Sequence, residues 1–244
     1  MKKVLMFTYS IISYLIGFAS LLYWILSVSN LIPEISIDRP AELPFIYALL
    51  KNFGLVALFG LQHSIMARKS FKDAFAKVFP RPIERSTFVL ISGLLLMLLV
   101  KEWAPLGGLI WDVSHIPALN YSLYILFFTG WAILFISSFL INHFDLFGLR
   151  QTYLELKKKP YTPLNFKVFS FYKYVRHPLY FGGILGLWAT PTMTMTHLTF
   201  AIGLTSYFFI GTLFEERDLI KEFGKQYKDY QKKTAMLIPF TKRK

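Results

Sequence analysis

Tyr174-Val175-Arg176-His177-Pro178-Leu179-Tyr180-Phe181-Gly182-Gly183, answered further on by Phe214-Glu215-Glu216-Arg217-Asp218, is the pair of stretches on which the fold turns. Proline suits the first turn of a helix, where the backbone N–H has no intrahelical partner. Pro178 therefore opens a helix, and Arg176 and His177 sit just outside it. The apolar run 179–195 climbs away, Pro191 and His197 mark a turn, and the run 198–214 returns. At about 1.5 Å per helical residue the limbs match in length, which brings Glu215 and Glu216 back level with Arg176 and His177. A cationic cluster and an acidic pair then face each other at one end of a helical hairpin.

Outward from that hairpin the composition sets the class. The 244 residues are 55% hydrophobic and 18% aromatic, with mean hydropathy +0.46, and several apolar segments reach the roughly 20 residues needed to cross a bilayer. The expectation is an all-α integral membrane protein of about six transmembrane helices, the last two forming the hairpin and the last continuing as a cytoplasmic helix extension. The uncharged run 4–31 after Lys2-Lys3 is too long for the apolar core of a signal peptide and reads as a retained first span. Further spans are expected over 43–66, with Lys51 an anomaly inside it, over 86–100 and over 119–144. Residues 68–85 alternate cations with Phe71, Phe75, Val78 and Phe79, the pattern of an amphipathic helix lying on the membrane surface. The absence of cysteine excludes disulfides, thiolate-ligated zinc and cysteine catalysis, and no metal is expected. No internal repeat, heptad seam or low-complexity tract is visible, and the oligomeric state is left open.

The cations give the orientation. Of 27 Lys and Arg, 24 fall at the N-terminus, in 67–85, in 145–177 or in the tail. Six spans place all four regions on one side, expected to be the cytoplasm of a bacterial inner membrane. The net charge of +13 is thus better explained by anionic lipid than by nucleic acid. On the same side the helix ends carry Gln62-His63, Glu84-Arg85, Asn142-His143 with Asp145, Arg176-His177 and Glu215-Glu216. Ionisable groups at membrane depth are costly and usually face a wet cavity, so a cytoplasm-facing pocket is expected.

The stretch Arg176-His177-Pro178-Leu179-Tyr180 with Gly182, together with Glu215-Glu216, Tyr227 and Tyr230, resembles the C-terminal signature of the isoprenylcysteine carboxyl methyltransferase superfamily. Leu61-Gln62-His63-Ser64, Ile83-Glu84-Arg85-Ser86-Thr87, Asn142-His143-Phe144-Asp145, Tyr161-Thr162-Pro163-Leu164 and Met236-Leu237-Ile238-Pro239 extend the resemblance over nearly the whole chain to bacterial methanethiol S-methyltransferases. The Arg-His-Pro element alone also occurs in NADPH-dependent membrane sterol reductases and in the NnrU family. Those remain the alternatives of another class: a reductase, or an accessory protein. Methylation of another membrane-accessible thiol, or of an isoprenylcysteine-type carboxylate, is the alternative within the class.

The resemblance implies methyl transfer from S-adenosylmethionine to methanethiol, giving dimethyl sulfide. It divides the chain into a four-span region, 1–144, and a cofactor-binding region, 145–244. Arg176 would meet the cofactor carboxylate in a bidentate geometry that lysine cannot copy. His177 and Pro178 belong to the same motif, and Glu215 or Glu216 would take ribose hydroxyls or the ammonium. Gly182 would allow close approach, and Tyr180, Tyr227 and Tyr230 would offer ring faces. The base that takes the thiol proton is to be sought among His63, His143 and Glu215; Asp145, near in sequence, makes His143 the favoured one. Blander readings stand beside these: Arg176 as an interfacial anchor, His63 as an interhelical hydrogen-bonding partner of Gln62, Lys51 as a snorkelling side chain.

Overall fold

A computed structural model describes residues 1–241. The protein is an all-α membrane protein. Its helices are α1 (Lys2–Ser29), α2 (Phe45–Ala67), α3 (Lys69–Val78), α4 (Glu84–Lys101), α5 (Pro117–Ile141), α6 (His143–Leu146), α7 (Leu149–Leu156), α8 (Pro178–Trp188), α9 (Met195–Phe223) and α10 (Lys225–Lys233). Two short strands, β1 (Leu109–Asp112) and β2 (Thr192–Thr194), pair with each other. Among the described residues five helices are long and apolar enough to cross a membrane: α1, α2, α4, α5 and α9.

The chain divides into two compact units. The first comprises Met1–Leu109, Asn142–Thr162 and Thr194–His197; the second comprises Ile110–Ile141, Pro163–Met193 and Leu198–Lys244. The division therefore differs from a cut at residue 144. α5 goes with the C-terminal elements because it packs on α8, and the segment after α5 returns to α1 and α4.

In the first unit α1 lies against α4 along a stripe of buried residues, Ser10, Ser13, Gly17, Ser20, Trp24 and Ser27. Their alternating three- and four-residue spacing puts them on one helix face. Lipid tails are as apolar as the side chains, so such interfaces hold by close packing and hydrogen bonds. A methyl group built on Gly93 would lie 2.9 Å from the Cα of Gly17, and Ser10 and Ser86 join their hydroxyls at 2.7 Å. Asn52, buried on α2, meets the backbone N–H and C=O of Ala104, each at 2.8 Å. Lys51 resolves its anomaly by pairing with Glu102 at 2.9 Å. At the other end of the unit Lys3 bonds Glu155 at 2.7 Å, Arg85 donates to the Leu146 carbonyl at 2.7 Å and Ser86 to that of Gly148 at 3.1 Å. The N-terminus, the start of α4 and the segment 146–155 thus meet there.

The second unit corrects the expected hairpin. Its limbs are unequal: α8 has 11 residues and α9 has 29. At about 1.5 Å per residue α8 is only about half a bilayer core long. It stops because the residue before a proline is pushed out of the α region, and Thr190 precedes Pro191. The chain then runs extended through β2, Thr190 donating to the Thr192 carbonyl at 2.8 Å. α9 does continue past Phe214, as expected. At Gly224, with φ +55°, the helix breaks, and α10 follows.

Candidate active site

Pro178 opens α8 as expected, and His177 occupies its N-cap position. The backbone just before it pairs with the chain's end: Val175 bridges Ala235 in parallel, the Arg176 N–H donates to the Ala235 carbonyl at 2.8 Å and that of His177 to Met236 at 3.2 Å. This strap carries the segment after α10 across the Arg-His-Pro motif.

Around it the second unit builds a buried ionic centre on Glu216, which is 8% exposed. Its Oε1 accepts from Arg176 Nε at 2.5 Å and from Tyr227 at 3.4 Å, and lies 3.2 Å from His177 Nε2. Oε2 accepts from Gln231 at 2.8 Å. Arg176 Nη1 donates to the carbonyls of Thr234 and Gln231. Glu216 and Arg176 are thereby engaged with the protein itself, closing α9, α10 and the strap around one carboxylate. Glu215 is different: its side chain is 45% exposed and accepts from the Tyr180 hydroxyl at 3.0 Å, with His177 Nδ1 3.6 Å away.

Each imidazole nitrogen of His177 therefore faces a carboxylate, an arrangement that suits two N–H donors. Burial is the largest single influence and disfavours the charged ring, but the hydrogen bonds and charges of Glu215 and Glu216 together outweigh it. The His177 pKa lies above the ordinary value. Tyr180 stacks between His177 at 5.7 Å and Phe208 at 5.3 Å. Three rings thus stack in series beside Glu215.

Other residues of the motif serve packing. A methyl group on Gly182 would lie 2.5 Å from the Gly130 carbonyl oxygen and 2.7 Å from the Leu134 nitrogen, so the bare glycine admits the backbone of α5. Tyr227 and Tyr230 are buried around Phe166, and the Tyr230 hydroxyl donates to the Tyr172 carbonyl at 2.5 Å. Burial raises the pKa of both phenols, which stay protonated. Neither presents an open ring face.

His63 and His143 belong to the first unit. His63 lies between the rings of Phe59 and Phe88 with Nδ1 3.4 Å from the Ser92 hydroxyl, which Gln62 also meets at 3.3 Å. That is the geometry of an interhelical contact between α2 and α4. His143, 2% exposed, holds its Nε2 at 3.1 Å from the Tyr14 hydroxyl of α1 and packs on Phe147 at 4.6 Å. Burial lowers its pKa, so the ring is neutral at pH 7. Asp145 is not its partner. The carboxylate pairs with Arg150 at 2.8 Å and accepts from Tyr161 at 3.3 Å, because residues two apart on a helical turn point to opposite sides. Tyr14, Gln231 and Thr234 are what sequence reasoning missed. Gln231 stands one helical turn after Tyr227 and was legible from that spacing, whereas nothing near Tyr14 marks it.

Among the described residues no group of three or more His, Cys, Asp or Glu is placed to hold a metal ion. The fold and the centre define a multi-pass helical membrane protein whose polar chemistry gathers at an Arg-His-Pro helix start. Three relatives carry this further. The chain is 43% identical to a methanethiol S-methyltransferase of Crocosphaera subtropica over 100% of its own length and 95% of the relative's. It is 42% identical to that of Mycobacterium tuberculosis, over 100% and 99%. With methanethiol S-methyltransferase 1 of Bradyrhizobium diazoefficiens it shares 44% identity, over 98% and 83%. The chain belongs to the methanethiol S-methyltransferase family. No family model matches it, and no solved structure does.

Proposed function

We propose that the protein methylates methanethiol with S-adenosylmethionine, releasing dimethyl sulfide and S-adenosylhomocysteine, at the inner membrane of a bacterium with both termini cytoplasmic. The observation that carries the reading is end-to-end similarity to enzymes of that name. The excess of cations at the sequence ends and in two connections supports the orientation.

The residues present fit such a cofactor. Glu215, half-exposed beside Tyr180, offers a carboxylate to ribose hydroxyls or an ammonium. Arg176 Nη2 makes none of the bonds described above and is suited to a carboxylate. The bound cofactor supplies an electrophilic methyl group on a sulfonium sulfur. Glu216 holds Arg176 and His177 in place, and the strap fixes the backbone on which they stand. Orientation of this kind supplies much of the rate in an in-line displacement. The carbon–sulfur bond to the acceptor forms as the sulfonium bond breaks, and the thiol proton must leave. His143, buried in the first unit with the Tyr14 hydroxyl on its ring, and Glu215, half-exposed in the second, are the candidates for its acceptor.

The test uses the full chain in detergent. Methanethiol and S-adenosylmethionine should give dimethyl sulfide in the headspace, and calorimetry should show binding of S-adenosylhomocysteine. Binding of NADPH in its place, or no dimethyl sulfide from a folded protein, overturns the proposal.

A further inference from the structure

α3 carries a surface that methyl transfer does not use. It starts directly after α2 ends at Ala67, and the next span begins at Arg81, so chain continuity holds it at the level where the two crossings meet water. Phe71 of its apolar arc packs on the buried cluster of Met66, Phe88 and Val89. The end of that arc is uncovered: Val78 is 75% exposed, and the adjoining Phe79, in tilted contact with Phe75 at 5.0 Å, is 51% exposed. Lys69, Lys72 and Lys77 lie on the opposite arc and its flanks, and none of the three has a carboxylate within ion-pair distance among the described residues. The single acid of the helix, Asp73, is 3.6 Å from Arg81.

We infer that α3 is a seat for anionic phospholipid headgroups, with the lysines on the phosphates and Val78 and Phe79 entering the acyl boundary. A nucleic acid would answer the lysines and leave the apolar side chains in water. A zwitterionic surface would leave the charge unanswered and hold the apolar side chains less deeply. An anionic lipid satisfies both at once.

The absence of cysteine makes a depth probe direct. Val78→Cys, labelled with an environment-sensitive fluorophore, is compared in nanodiscs of phosphatidylcholine alone and of an equal mixture with phosphatidylglycerol. Emission should shift to the blue in the mixture, and high salt or the combined Lys69→Gln, Lys72→Gln, Lys77→Gln variant should abolish the shift. Phosphatidylglycerol co-purifying with the chain should fall roughly fivefold for each lysine removed. The triple variant should keep its melting temperature in detergent and its yield of dimethyl sulfide. Equal emission in the two discs, a shift that survives the triple variant, or a shift produced in phosphatidylcholine by an RNA oligonucleotide would each overturn the inference.

Discussion

Glu216 and its neighbour Glu215 lead opposite lives although one peptide bond separates them. Glu216 is buried and binds Arg176, Tyr227 and Gln231 beside His177, whereas Glu215 is half-exposed and accepts from the Tyr180 hydroxyl, with His177 Nδ1 3.6 Å away. Consecutive helical residues point about 100° apart, and here that angle separates a carboxylate that holds the fold from one that can meet a ligand.

Two isosteric variants should part accordingly. Glu216→Gln leaves the buried Arg176 without its counter-charge, and breaking such a pair costs about 3–5 kcal/mol, so a marked fall in melting temperature in detergent is expected. Glu215→Gln should melt close to the wild type and weaken S-adenosylhomocysteine binding at least about tenfold by calorimetry, the loss of one charge-assisted bond. Equal melting temperatures for the two variants would reject this division of labour.

Tyr14→Phe removes only the hydroxyl at His143 Nε2. Cofactor binding should be unchanged, while kcat falls by about tenfold to a hundredfold, within the range of general-base contributions. His143→Ala should fall further under the same conditions. A Tyr14→Phe enzyme with wild-type kcat across the pH range would remove Tyr14 from the mechanism, and an active His143→Ala enzyme would remove His143 as the base.

Gly182→Ala should separate α5 from α8, because its methyl group meets backbone atoms that cannot swing aside. A loss of about 1–3 kcal/mol is expected from overpacking. Gly183→Ala is the control: there the nearest atom, 3.1 Å away, is the edge of the Phe208 ring, which can yield. Chemical denaturation should therefore rank Gly182→Ala well below Gly183→Ala.

The raised pKa of His177 has a definite sign. The folded state binds this proton more tightly than the unfolded chain, so the stabilisation is fully present below the unfolded value of about 6.5. It is lost as pH rises through the higher folded value. Melting temperature should thus fall from slightly acid to alkaline pH, and His177→Gln should flatten that part of the curve. A wild-type curve that rises across the window would contradict the assigned charge.

Much of this was legible along the chain. A proline after Arg-His announces a helix start whatever surrounds it, and runs of apolar residues announce spans because bilayer thickness sets their length. The small-residue stripe of α1, from Ser10 to Ser27, also stood in plain three- and four-residue spacing, although the sequence reading found no seam. It was obscured because Ser and Gly carry no apolar signal; in lipid their smallness is what brings helices together.

The sequence by itself determined the helical membrane class, the family, and the meeting of Arg176 and His177 with the acidic pair of the return helix. Only tertiary structure decided that α8 stops after 11 residues, that Gly182 makes room for α5, that Asp145 serves Arg150, and that Tyr14 serves His143. The first set follows from properties each residue carries locally: ring closure in proline, hydropathy, rise per residue. The second depends on which distant backbone or side chain arrives within about 3 Å, and that distance is set by the packing of whole helices.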